Sequence, residues 1–241
     1  MAEKERSGEP IPLRPLTGLG SLDATATLAV DGMIGGRPAQ GQLTADLTLN
    51  GKRSRVTVSG SLLGEVAAQI GGALVGLFTP ASLDLFKVPE GVFVSLGGFL
   101  PICVKPESSS AASLLQQISP ETLLAMLTRS DVAVGRYAGD VTVNGRPARH
   151  YVIDGDAFLA AARSSADPQL RKFGEALSKA GDADVFVDQQ GGYPVAFRGS
   201  YGGTFEPLGF SGSFALEMQL TGVNRGTPVE LPSGCANARV V

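Results

Sequence analysis

The side chains that most often carry catalysis are scarce in this chain of 241 residues, which contains one histidine and two cysteines. A nucleophilic serine or cysteine normally needs a nearby base. The single histidine, His150, lies in an alternating, strand-like run, and no Gly-x-Ser-x-Gly elbow occurs anywhere. We therefore expect His150 to be a strand residue with a satisfied hydrogen bond, and we predict no catalytic residue and no enzyme activity.

Candidate metal ligands are equally few. One histidine and two distant cysteines do not build a standard zinc site. The sequences Asp154-Gly155-Asp156 and Asp182-Ala183-Asp184 offer paired carboxylates, but both lack the ligand spacing of a calcium loop. Both also fall where helix caps or turns are expected. We predict neither a metal site nor a cofactor.

The two cysteines, Cys103 and Cys235, have contexts that favour a disulfide. Cys103 follows a proline-bounded strand end, and Cys235 closes a Pro-Ser-Gly-Cys sequence near the C-terminus. The alternative is a pair of buried thiols in a cytosolic protein. A bond would close a loop of about 130 residues and contribute roughly 4 to 5 kcal/mol in the chain-entropy model. We predict the bond and an extracytoplasmic location.

The composition excludes several classes of protein. Hydrophobic residues make up 43% of the chain and charged residues 18%, which allows a sizeable core. The formal net charge of -3 argues against a nucleic-acid partner. The basic run from Lys52 to Arg55 is typical of a solvated hairpin end. The longest apolar stretch, Val66 to Phe78, is too short and too often interrupted to span a membrane.

The first sixty residues follow the period-two pattern of strands that have one solvent-exposed face and one buried face. The hairpin turns between them are Asp31-Gly32, Gly35-Gly36 and Asn50-Gly51. After the apolar segment Val66 to Phe78, which is either a helix or an irregular lid, two further strands are expected at Leu83–Val88 and Val92–Leu96. We predict a β-meander over this first part of the chain.

The second half alternates helices with strands. Helix starts are predicted at Ser119-Pro120-Glu121, at Asp154 and at Asp167-Pro168, where caps and a first-turn proline coincide. The last of these helices is expected to end at Gly181. A hairpin is predicted around Asn144-Gly145, followed by late strands at 184–188, 193–199 and 211–221.

This order of elements predicts an α+β fold, in which a curved antiparallel sheet is capped by short helices; the resemblance described below implies that the sheet is a half-barrel with the helices on its concave face. We expect residues 1–15 to form a flexible N-terminal tether and residues 16–241 to form a single domain.

The ordering resembles the LolA-like superfamily, particularly the LppX/LprG-type bacterial lipoproteins. The resemblance extends over most of residues 16–235. It rests on the hairpin sequence from Asp140 to Tyr151, on the Val152-Ile153-Asp154 run that leads into a helix, and on Gly192-Tyr193-Pro194-Val195. Members of that family have a curved half-barrel and, in known cases, a pocket for lipid tails. They are commonly held to the membrane through a lipidated N-terminal cysteine.

The resemblance implies a carrier for a lipid or another hydrophobic small molecule in the cell envelope. We expect a monomer, anchored by a lipidated N-terminus that this sequence does not contain. The family has no catalytic residues to transfer, so the pocket is inferred from the apolar positions of the segments that cover the sheet. The candidate lining residues are Leu74, Leu77, Phe78, Leu123, Leu127, Phe158 and Leu159. The alternative is an envelope sensor or a protein-interaction module on the same scaffold, without a transported ligand.

Overall fold

The computed structural model describes residues 8–14, 16, 19–65, 81–97, 102–105, 134–206, 209–235 and 238–240. In these residues the chain forms an open, largely antiparallel sheet together with two short α-helices. The predicted α+β fold class is therefore confirmed.

The chain is organised as two compact units, each assembled from three segments. The first, which we call the helical unit, comprises residues 1–18, 29–39 and 124–219; the second, the disulfide unit, comprises residues 19–28, 40–123 and 220–241. The interpretation of residues 16–241 as one domain stays a prediction.

The first three long strands are β2 (Ser21–Ile34), β3 (Arg37–Asn50) and β4 (Arg53–Ser59). They form because polar and apolar side chains alternate, so that each strand has one face for the core. The turns after β2 and β3 contain Gly36 with φ +77° and Gly51 with φ +59°, conformations that glycine adopts without steric cost. The predicted meander and its turns at Gly35-Gly36 and Asn50-Gly51 are confirmed. The turn predicted at Asp31-Gly32 is wrong, because both residues lie inside β2, which continues to Ile34.

The disulfide unit continues this meander. Strands β5 (Ser82–Val88), β6 (Gly91–Gly97) and β7 (Ile102–Lys105) follow, each antiparallel to the one before, and β5 pairs with β4. The short C-terminal strand β14 (Arg239–Val240) lies parallel to β7. Pro89 and Glu90 form the turn that joins β5 to β6.

Cys103 and Cys235 form the predicted disulfide, with their Cα atoms 5.1 Å apart. Cys235 is 1% exposed and packs in a hydrophobic cluster with Phe86, Phe93 and Val229. Cysteine pairs of this kind persist in oxidising compartments. The bond therefore indicates a protein that folds outside the cytosol.

Side chains of the meander hold the C-terminal segment before it reaches the disulfide. The Nδ2 atom of Asn50 donates hydrogen bonds to the carbonyl oxygens of Gly226 (3.2 Å) and Thr227 (3.0 Å). The hydroxyl of Thr227 donates to Asp23 Oδ2 at 2.8 Å. These bonds hold the segment that leads to Cys235 against the ends of β2 and β3.

The helical unit contains strands β1 (Glu9–Pro10), β8 (Val134–Val143), β9 (Arg146–Ile153), β10 (Leu177–Ala180), β11 (Ala183–Asp188), β12 (Pro194–Phe205) and most of β13 (Phe210–Val223). Their order in the sheet is β1-β8-β9-β11-β12-β13, and β10 also pairs with β12. The predicted hairpin turn between β8 and β9 is confirmed, with Asn144 at φ 50° and Gly145 at φ 76°.

Two helices connect β9 to β10: α1 (Gly155–Ser164) and α2 (Pro168–Ala176). Asp154 caps α1, because its side chain accepts a hydrogen bond from the backbone N–H of Ala157 at 2.9 Å. Asp167 accepts from the N–H of Leu170 at 3.2 Å, and Pro168 occupies the first helical position of α2. The helix starts predicted at Asp154 and at Asp167-Pro168 are confirmed, whereas the third, at Ser119-Pro120-Glu121, lies outside the described residues.

The predicted end of α2 at Gly181 is wrong. The helix ends at Ala176, and Leu177–Ala180 instead pair with β12, with Leu177 opposite Gly203. A Cβ atom at Gly203 would collide with the carbonyl oxygen of Ala176. The glycine backbone of β12 therefore lets the chain come close enough to pair as a strand.

The N-terminal segment is ordered earlier than the sequence predicted. Glu9 and Pro10 pair with Gly135 and Val134 of β8, and Ile11 is 3% exposed. The flexible tether that we placed at residues 1–15 therefore does not extend over residues 8–14. The physical reason is the apolar side chain of Ile11, because its transfer out of water lowers the free energy of the folded state.

No helix in the described part of the chain is long and apolar enough to cross a membrane.

We expect the disulfide to be a major source of stability. Replacing both cysteines, Cys103→Ser with Cys235→Ser, should lower the free energy of unfolding, measured in urea, by about 4 kcal/mol. Without the cross-link between residues 132 apart in sequence, the unfolded chain has a higher conformational entropy. As a control, Asn50→Ala removes only the two hydrogen bonds to the tail and should cost about 1 kcal/mol. Equal stabilities of the double variant and the wild type would contradict this account.

Candidate functional site

The structure describes two of the seven predicted pocket residues. Phe158 and Leu159 lie on α1, where Leu159 is buried and Phe158 is half-buried. The other five, Leu74, Leu77, Phe78, Leu123 and Leu127, lie outside the described residues.

Helices α1 and α2 pack closely because small side chains separate them. Ala162 is fully buried against Leu170. A Cβ atom at Gly174 would lie 2.8 Å from the Cβ of Ala162, a distance that real Cβ atoms do not reach. The close approach places the two helices as a pair against the strands that follow them.

Arg163 fixes the C-terminal end of α2. Its guanidinium donates to the carbonyl oxygen of Gly174 at 3.1 Å and to that of Leu177 at 2.7 Å. These carbonyls belong to the last turn and the exit of α2, where the helix has no further N–H groups of its own to offer. A charged side chain on α1 therefore satisfies the end of α2 and joins the helices.

Six aromatic rings lie together where these helices meet β12 and β13, and we call them the aromatic cluster. Its members are Phe158, Phe173, Tyr201, Phe205, Phe210 and Phe214. Neighbouring ring centroids are 5.3 to 6.2 Å apart. These spacings fall in the range in which aromatic rings attract each other.

The strand register assembles the sheet part of the cluster. Tyr201 is directly opposite Phe214, and Phe205 is directly opposite Phe210. Phe173 of α2 contacts the rings of Tyr201 and Phe205, with centroids 6.2 and 5.8 Å away. Helix and sheet therefore contribute to one continuous apolar surface.

The members of the aromatic cluster differ in burial. Tyr201 and Phe210 are buried, at 5% and 7% exposure, whereas Phe158, Phe173, Phe205 and Phe214 are half-buried. Burial raises the pKa of the Tyr201 phenol, so its side chain stays neutral at physiological pH. The described residues thus present apolar rings, and no charged group among them contributes to the cluster.

The sequence indicated part of this surface. Phe158 is among the residues that the sequence predicts to line the pocket. Tyr201, Phe205 and Phe210 were not singled out, because only the pairing of β12 with β13 brings them together. The spacing of four residues between Tyr201 and Phe205 fits one face of a helix and one face of a strand equally well, so it does not identify the element by itself.

His150 lies on the face of the sheet opposite the aromatic cluster. Its Nε2 atom is 2.6 Å from Asp184 Oδ1, and its ring stacks on Phe186 with centroids 4.7 Å apart. The expectation of a strand histidine with a satisfied hydrogen bond is confirmed. Within the described residues, no group of three or more His, Cys, Asp or Glu side chains is arranged to hold a metal ion.

No model of a known protein family matches this sequence, and no curated protein matches it. Among solved structures, the chain is similar to a DUF1329 family protein from Desulfovibrio piger, at 10% identity and a TM-score of 0.26, with 88% of each chain covered. It is also similar to PNGF-II at 9% identity and a TM-score of 0.27; there the match covers 91% of this chain and 30% of the other. Neither similarity is close enough to indicate a function.

The close contact between the helices gives a direct test of how the aromatic cluster is covered. Gly174→Val should lower the free energy of unfolding by about 2 to 3 kcal/mol, because the added side chain collides with Ala162 and separates α1 from α2. Glu175→Val, at an exposed neighbouring position in α2, introduces the same β-branched residue, with its low helix propensity, but no collision. It should change the free energy of unfolding by less than about 1 kcal/mol. Equal losses in both variants would show that the helices do not depend on this contact.

Proposed function

We propose that this protein binds a hydrophobic small molecule, an acyl chain or a similar lipid tail, at the aromatic cluster of the helical unit. The observation that carries the proposal is the continuous surface of six rings, four of them only half-buried. Ligand sites for apolar molecules are lined mainly by aromatic and aliphatic side chains. The proposed role is binding and carriage, without a covalent step.

The location of the rings supports this proposal. Phe158 and Phe173, both half-buried, lie on the two helices and contact rings of β12. Aromatic rings bury 150 to 250 Å² each, so even a few of them supply a large apolar contact area. Leu74, Leu77, Phe78, Leu123 and Leu127 remain predicted members of the same pocket.

The proposal extends to the cellular setting. The disulfide indicates an oxidising compartment. We propose that the protein acts in the cell envelope as a LolA-like lipid carrier of the LppX/LprG type, a monomer anchored through a lipidated N-terminus. These statements rest on the resemblance of the hairpin and Tyr-Pro sequences.

A protein-interaction module on the same scaffold is the second candidate, and the edge of β8 favours it. Strand β1 pairs with β8 only at Val134 and Gly135, so within the described residues the rest of that edge has no strand partner. Tyr137 and Val141 of β8 are exposed, at 51% and 37%. Such an edge is able to receive an extended segment of another protein.

Titration with a neutral apolar fluorophore, N-phenyl-1-naphthylamine, tests the leading proposal. We expect saturable binding to the wild type and roughly tenfold weaker binding to Phe205→Glu, because a carboxylate in the cluster must be desolvated when the probe binds. Phe186→Glu is the matched control, since Phe186 is also half-buried but lies on the opposite face of the sheet.

The control should bind the fluorophore like the wild type. Near-ultraviolet circular dichroism checks that both variants are folded. If Phe205→Glu is not folded, the milder Phe205→Leu replaces it. Absence of saturable binding to the folded wild type would overturn the proposal and leave the interaction module as the better account. Equal binding by Phe205→Glu and Phe186→Glu would remove the aromatic cluster from the site.

A further inference from the structure

A small cavity, lined mainly by polar residues, opens in the helical unit beside the turn that joins β11 to β12. Its volume is about 180 Å³, below the 300 to 1,000 Å³ typical of sites for drug-sized ligands. The N-terminal segment contributes Pro12 and Arg14, and β9 contributes Arg149. The remaining wall is the end of β11 and the turn after it, with Val187, Asp188, Gln189, Gln190 and Gly192. A cavity of this size suits a small polar group rather than a lipid tail.

The turn is held rigidly by the side chain of Asp188, which is 7% exposed. Its Oδ1 atom accepts hydrogen bonds from the backbone N–H groups of Gln190 (3.0 Å) and Gly191. The N–H of Gly192 donates to the Asp188 carbonyl at 2.9 Å. The carboxylate in the wall is therefore engaged by the backbone of its own turn.

Arg14 is fixed at the mouth of the cavity by its backbone. Its N–H donates to the carbonyl oxygen of Gly192 at 2.6 Å, and its side-chain carbons lie over that glycine. Its guanidinium forms no ion pair with any described residue. Arg14 of the N-terminal segment thus contributes a positive charge to the cavity lining.

Arg149 contributes a second guanidinium. Asp140 lies directly opposite it on β8, yet the two form no ion pair, and Asp140 Oδ1 accepts instead from the Tyr137 hydroxyl at 2.7 Å. Among the described residues, Arg14 and Arg149 therefore line one small cavity without forming an ion pair, and the Asp188 carboxylate in its wall is engaged by the backbone of its own turn. Two arginines against one carboxylate leave the cavity lining with a net positive charge, which attracts an anion.

We propose that this cavity binds an oxyanion group, a phosphate or a carboxylate, between the guanidinium groups of Arg14 and Arg149. The planar donor fork of arginine matches the oxygens of both groups, and such charge-assisted hydrogen bonds are the stronger ones. The side chains of Gln189 and Gln190, which also line the cavity, supply further donors. The proposal stands independently of lipid-tail binding at the aromatic cluster.

The test is calorimetric titration of the full chain with inorganic phosphate at low salt. We expect saturable binding that becomes roughly tenfold weaker in the double variant Arg14→Gln with Arg149→Gln. The matched control is Arg37→Gln with Arg225→Gln, which changes the net charge equally at two exposed positions away from the cavity. An equal loss in both double variants, or no saturation in the folded wild type, would overturn the proposal.

Two further titrations identify the source of the oxyanion. Monomeric dihexanoyl phosphatidylglycerol carries an anionic phosphate headgroup, whereas dihexanoyl phosphatidylcholine carries a zwitterionic one. Tighter binding of phosphatidylglycerol than of phosphate, lost in the Arg14 and Arg149 double variant, assigns the site to a lipid headgroup. Equal affinities, both lost in that variant, assign it to a free oxyanion.

The neutral fluorophore separates this proposal from the preceding one. The Arg14 and Arg149 double variant should bind N-phenyl-1-naphthylamine like the wild type, because the fluorophore carries no negative charge. If the wild type binds the fluorophore but not phosphate, only the oxyanion-site proposal is contradicted. If it binds phosphate but not the fluorophore, only the hydrophobic-site proposal is contradicted.

Discussion

The constraint on which the helical unit depends is that one face of its antiparallel sheet must be removed from water. The inward side chains of β11, β12 and β13 include Val185, Phe197, Tyr201 and Met218, all at most 5% exposed. Burial at about 25 cal/mol per Å² makes a face of this kind the main source of folding free energy. Helices α1 and α2, which follow β9, bring Phe158 and Phe173 onto this face beside Tyr201 and Phe205.

The way the cover is built explains why the same region has an apolar surface for a ligand. Ala162 and Gly174 let α1 and α2 approach each other closely, and Arg163 joins their ends. With small residues between the helices, the large rings of Phe158 and Phe173 lie instead toward the sheet. In the disulfide unit, by contrast, a covalent bond and the hydrophobic cluster around Phe86 and Phe93 hold the C-terminal tail in place.

The sequence predicted most of what depends on local pattern. Alternation gave the strands, Asn144-Gly145 and Gly35-Gly36 gave their turns, and Asp154 and Asp167 gave the helix starts. It did not predict that Leu177–Ala180 form a strand or that Ile11 is buried, because both depend on a partner distant in sequence. The aromatic cluster was missed in part for the same reason: Tyr201 and Phe214 meet only through the register of β12 with β13. The polar cavity likewise arises where the N-terminal segment meets a turn almost 180 residues later.

Photo-cross-linking with a fatty-acyl probe that carries a diazirine at mid-chain, followed by peptide mapping, tests the hydrophobic site most directly. The account predicts labels on the peptides of α1, α2 and β12 that contain Phe158, Phe173 and Phe205, and their loss when excess unlabelled fatty acid competes. Competable labelling confined to the opposite face of the sheet, around Phe186 and His150, would contradict it.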